Sequence, residues 1–254
     1  DSARGVDKFL FPYATNAEGT STARVKSFDS DGFTVGTSGA TNGGSDTYVA
    51  WCWKESVTAG MDIVKFTGNQ TARTISHSLS AKPEWLWIKN REKVESYHMQ
   101  HGGAGADNTQ ESNTNGAFGG GSTIWNDTEP TTSVFSVGNN GNINETGSDI
   151  VVWLWAGKQG YSKFGTYTGN GNADGPFIHL GFKPAFLMYK SRDAVKSWYI
   201  NDNKRDPHNP CDGVMLMDAS DAENASHGNK IDFLSNGFKS RSTGSTVNSS
   251  GAVY

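Results

Sequence analysis

Apolar residues come in short runs that do not alternate with polar ones. Trp85-Leu-Trp-Ile88, Phe186-Leu-Met-Tyr189 and Ile150-Val-Val-Trp-Leu-Trp155 are apolar at consecutive positions. Runs of about four to eight such residues between Gly, Pro and Asn predict strands buried on both faces. Such a strand needs cover on each side. One face builds the core, and the module's own loops, the next module or another subunit must cover the other. Asp31-Gly-Phe-Thr-Val-Gly36 predicts a turn into a strand, with the glycine after Asp31 at a positive-φ position. Tyr48-Val-Ala-Trp-Cys-Trp53 predicts a closing strand, and Pro130–Gly138 another. The stretch from His101 to Thr123 is polar and rich in Gly and Asn, and it predicts a long loop that is functional or mobile.

These elements repeat. Thr67-Gly68-Asn69, Lys82-Pro83 and Lys89 return 101 positions later as Thr168-Gly169-Asn170, Lys183-Pro184 and Lys190. An aromatic eight residues past that lysine returns too, Tyr97 and then Trp198. Trp51 and Trp53 fall on Trp153 and Trp155 at an offset of 102, as Phe33 and Gly36 fall on Phe135 and Gly138. Asp1-Ser-Ala-Arg4 resembles Asp202-Asn-Lys-Arg205, and Asn16-Ala-Glu-Gly resembles Asp221-Ala-Glu-Asn. Constant offsets across several anchors predict a duplicated unit of roughly a hundred residues. The units run over 1–57 (a second half), 62–156 (complete) and 160–254, where Tyr254 falls on Ile150 and the last strand is lacking. Two expectations follow: the chain is cut from a longer array, or strands of a neighbouring chain complete it.

With 35% apolar residues and 31 glycines, the composition is all-β rather than helical. A net charge of −4 gives no electrostatic case for nucleic acid or an anionic membrane, and no apolar run predicts membrane insertion. Cys52 and Cys211 lie at non-matching positions, so neither a disulfide framework nor a Cys-based metal site is predicted.

Motifs that carry chemistry are sparse. Phosphate-loop, dinucleotide and nucleophile-elbow spacings do not occur, nor do alternating acids along a strand. The histidines miss zinc spacing, and His77 and His179, each shortly before a Lys-Pro, predict hydrogen bonds at strand ends. Asn170-Gly-Asn-Ala-Asp-Gly175 has the opening of a calcium loop, but Gly181 stands where its closing glutamate belongs, and an Asn/Gly turn is the favoured reading. No catalytic residue, metal ligand or cofactor is predicted. Glycan contact has the better case, because sugars stack on exposed aromatic faces beside polar loops, and the chain has 8 Trp and 8 Tyr. Tyr97, Trp125, Trp198 and Tyr199, on or beside such loops, are the candidate binding residues.

The order TGN, Ile75-x-His77-x-Leu79, Lys82-Pro-x-x-Leu-x-x-Lys89, Trp125-x-x-Thr-x-Pro-Thr-Thr-x-x-Phe-x-Val-Gly138 and Asn144-x-x-Gly147 resembles repeat modules of tail-fibre and other virion surface proteins of tailed bacteriophages, of the marine and cyanobacterial type. The resemblance implies tandem β-sandwich modules, jelly-roll or concanavalin-like. It further implies a virion structural protein on the extracellular surface that attaches to host glycan. Its partners would be copies of itself or other virion proteins. A scaffold or decoration protein without a ligand, and a bacterial adhesin or carbohydrate-active enzyme, are the alternatives.

Overall fold

The computed structural model describes residues 1–254. The first repeat region holds β1 (Lys8–Phe9), β2 (Gly19–Thr20), β3 (Val25–Phe28), β4 (Phe33–Val35) and the one-turn α1 (Gly39–Asn42). The central region runs β5 (Met61–Thr67), β6 (Arg73–Ser76), β7 (Trp85–Asn90), β8 (His98–His101), β9 (Asn108–Glu111), β10 (Gly119–Gly120), α2 (Ser122–Trp125), β11 (Val134–Val137), α3 (Gly141–Asn144) and β12 (Asp149–Trp155). The last holds β13 (Phe177–His179), β14 (Phe186–Tyr189), β15 (Tyr199–Asp202), β16 (Met215–Leu216), β17 (Ile231–Leu234) and β18 (Gly237–Ser240). The fold is mostly β, in several small antiparallel sheets, with neither a clear two-sheet jelly roll nor a closed barrel. The largest sheet has six strands, ordered β10-β9-β8-β7-β12-β5. No helix is long and apolar enough to cross a membrane.

β12 shows why its sequence is apolar on both faces. Ile150, Val152 and Leu154 enter one core with Leu86 and Ile88 of β7, Phe135 and Val137 of β11, and Trp125. Val151, Trp153 and Trp155 enter a second cluster with Trp85 and Met99. That second cluster is shared with the last repeat region, whose Trp198, Ile200 and Met217 join it. The cover for the second face is therefore the neighbouring repeat region. A third core gathers Tyr189, Tyr199, Val214, Ile231 and Phe238.

The repeated glycines and asparagines mark close approaches of backbone. A Cβ on Gly68 would stand 2.1 Å from the Glu145 carbonyl oxygen, and one on Gly169 2.3 Å from that of Ser249. The buried Asn144 accepts from the Asn69 N–H and donates to the Thr71 and Gly138 carbonyls. Asn248 does the same with the Asn170 N–H and the Asn172 and Ser242 carbonyls. The Thr-Gly-Asn motif is thus the partner of an asparagine that closes the unit about eighty residues later in sequence.

Three expectations are corrected. The stretch 101–123 is not a long loop: β9 pairs with β8, putting Gln110 opposite Met99, and β10 extends the sheet. Its polar side chains did not reveal this, because backbone groups make the ladder. Tyr48–Trp53 forms no strand, since nothing flanks it as β5 and β7 flank β12. Gly32 lies in the β3–β4 turn, closed by the Asp29 N–H on its carbonyl, and is not at positive φ.

Candidate functional site

The four aromatic candidates are buried, so the expectation of exposed sugar platforms at these positions is corrected. Tyr97 is 1% exposed and Trp125 0%, while Trp198 and Tyr199 are each 6%. Trp125 ends α2 inside the first core, and Tyr199 stacks on Tyr189 at 5.7 Å in the third. Tyr97 and Trp198 lie in the shared cluster, beneath a lysine ammonium each. These four pack into cores, whereas other aromatics, Trp53 and Tyr161 among them, are exposed.

Two buried lysines stand at matching positions. Lys89 is fully buried, and its Nζ donates to the carbonyls of Thr15 at 3.2 Å, Lys93 at 2.9 Å and Glu95 at 2.8 Å. It stands 5.5 Å from the centre of the Tyr97 ring. Lys190 repeats the arrangement with the carbonyls of Asn115, at 3.1 Å, and Lys196, and lies 5.9 Å from the Trp198 ring. The aromatic eight residues after the lysine is therefore its cation–π partner. Loss of hydration pushes both ammonium groups down to about 8. Each lysine also reaches out of its own repeat: Thr15 belongs to the region before Lys89, and Asn115 to the region before Lys190.

A second pair of joints uses arginine. Arg4 Nε meets Asp1 at 2.6 Å, its Nη1 meets Glu18 at 2.8 Å, and its guanidinium lies 5.3 Å from the centre of the Trp153 ring. The Trp153 indole donates to Asp1 at 3.1 Å. Arg205 meets Asp202 and Glu223, each at 2.6 Å, lies 5.8 Å from the Trp51 ring centre, and the Trp51 indole donates to Asp202 at 3.2 Å. Burial alone would raise the Glu18 carboxyl; the guanidiniums of Arg91 and Arg4 bring it below its ordinary value. Asp-x-x-Arg and the later glutamate were visible as repeated letters, but nothing local in the sequence announced the tryptophan about 150 positions away.

Other singled-out residues have structural partners. The His77 ring bonds the Thr131 carbonyl at 3.2 Å and receives the Leu79 N–H, whereas for His179 it is the backbone carbonyl that accepts, from Lys163. In the calcium-like loop, Asn170 and Asn172 cap the N–H groups of Asn172 and Asp174, and Asp174 is paired with Lys239 and Arg241. No cluster of three or more His, Cys, Asp or Glu side chains is arranged to hold a metal.

One cleft, missed by sequence reasoning, has a volume of about 670 Å³. Residues 161–167 and Phe186–Lys190 line it, together with Ile178 and Phe238. Trp51, Trp53, Trp85, Trp155 and Trp198 line it as well. Of the four candidates only Trp198 reaches it.

These features define a mostly-β chain whose recurring charged residues join its repeat regions. The chain belongs to a family described as a domain of unknown function (DUF7483), which matches residues 1–254. No curated protein and no solved structure matches it.

Proposed function

We propose that the chain is a non-enzymatic structural part of an extracellular fibre, of the kind found on the surface of tailed-phage virions. It is built of tandem β-sandwich modules of about a hundred residues, covering 1–57, 62–156 and 160–254. One observation carries this reading: Lys89 and Lys190, at matching positions, each reach a backbone carbonyl in the preceding repeat region. These buried charges link one unit to the next, as the joints of a load-transmitting array would. The Arg4 joint to Trp153 links the first and central regions in the same sense.

Attachment to host glycan is the accompanying role, and it needs a surface other than the four buried aromatics. A glycan array probed with the multimerised chain tests it. Retention on one class of envelope sugar supports attachment, whereas silence at high avidity favours a scaffold or decoration role. Incubation with envelope polysaccharide tests the non-enzymatic claim, and shortened chains would overturn it.

A further inference from the structure

One kind of joint links the first region to the central one, the central to the last, and the last back to the first. In the first link, Trp153 of the central region donates its indole N–H to Asp1 at 3.1 Å, beside an Arg4 that pairs with Glu18. The Glu18 N–H also donates to the Arg91 carbonyl, and the Lys89 ammonium reaches Thr15. In the second link the matching main-chain contacts return: the Phe118 N–H donates to the Arg192 carbonyl, and Lys190 reaches Asn115. Its side chains differ, since at an offset of 100 His101, Ala104 and Phe118 replace Asp1, Arg4 and Glu18. The third link restores the charges. Asp202, Arg205 and Glu223 of the last region form the socket, and the indole seated in it is Trp51 of the first, bonded to Asp202 at 3.2 Å. Trp51 is the counterpart of Trp153 at the offset of 102, so the first region meets the last as the central region meets the first.

Each link is heterologous, joining a socket on one region to a tryptophan or lysine on another. A heterologous contact repeated in one sense gives an open filament, or a ring where the rotation closes. In an open row the first and last regions would not meet. Here all three reach one core, to which the first contributes Leu10 and Trp51, the central Trp85 and Trp153, and the last Trp198 and Ile200. We infer that the three regions form a closed ring around this shared core, and that Trp51 in the Asp202–Arg205 socket is its clasp. The socket is built for an indole. Asp202 is fixed by the Lys204 and Arg205 N–H groups on one oxygen and by the Arg205 guanidinium on the other, which also receives the Trp51 N–H. The guanidinium lies 5.8 Å from the ring centre, so donor and ring face are both recognised. The ring goes beyond the fibre reading, which requires linked units but not that the first and last be joined. In an open row the end units have one neighbour each and loosen separately, whereas in a ring each has two.

Two measurements on the full chain test the ring. Trp51→Phe keeps an aromatic ring in the shared core and deletes the indole donor, while Asp202→Asn keeps the acceptor's shape and removes its charge. In a double-mutant cycle read by urea unfolding, the pair should be coupled by at least about threefold in the unfolding equilibrium constant. Additive effects would mean that Trp51 is not seated on Asp202, and would overturn the clasp. The second measurement needs no variant. Small-angle scattering of the monomeric wild type should give a radius of gyration of about 18 Å, as for one compact body of this length. A clearly larger value, with a long tail in the pair-distance distribution, is the profile of units linked in an open row and sinks the ring.

Discussion

At the scale of single residues, the buried Lys89 gathers three backbone carbonyls around its ammonium. Lys89→Met leaves the Thr15, Lys93 and Glu95 carbonyls without their donor, so a loss of about 3 kcal/mol is expected in urea unfolding. Arginine should not rescue it, because a planar fork cannot meet carbonyls gathered around a point ammonium. His98 is a different kind of buried group: both ring nitrogens are buried without a partner. Burial first, then the nearby Lys89 charge, pushes its pKa down to about 4. Between pH 6.5 and 4 the unfolded chain therefore binds a proton that the folded chain refuses, and stability falls on acidification. His98→Phe should flatten that limb of a melting-temperature profile, and an unchanged slope would place the acid sensitivity elsewhere.

At the scale of elements, the close approaches at Thr-Gly-Asn turn a sequence motif into a geometric requirement. Gly169→Ala pushes a methyl against the Ser249 carbonyl and should cost about 1–3 kcal/mol in thermal unfolding. Asn248→Ala removes the clamp from the other side, leaves three backbone groups unpaired, and should cost at least as much. The segment 101–121 shows what pattern reading misses. Its Gly- and Asn-rich text marks turns correctly, but β9 and β10 are held by main-chain bonds that no side-chain periodicity encodes. The same segment delivers the Asn115 carbonyl to Lys190, and its Phe118 lies 6.1 Å from the Trp198 ring. It is a joint between repeat regions.

At the scale of the whole molecule, two lysine joints give an alkaline signature. Both ammonium groups titrate near 8 when folded, against about 10.5 for a free lysine. From pH 8 to 10 the unfolded chain binds more protons than the folded one, so stability rises with pH. Above pH 10 the sign reverses, because burial raises the phenols of Tyr97 and Tyr189 and the unfolded chain loses their protons first. A melting-temperature profile should therefore climb from pH 8 to 10 and then drop. The climb should vanish in the Lys89→Met, Lys190→Met double variant, and its persistence there would assign it to other groups.

The sequence by itself determined that this chain is β-rich, that its anchors recur at offsets of 101 and 102, and that strands such as Ile150–Trp155 are apolar on both faces. Those properties are written in local spacing, where side-chain period and turn residues act directly. Only the tertiary structure decided what covers the second face, and therefore that Tyr97, Trp125, Trp198 and Tyr199 are interior. Only it paired Lys89 with Thr15, and Trp153 with Asp1. An apolar strand records that it must be covered but not by what, and a lysine records its charge but not which carbonyls will replace its water.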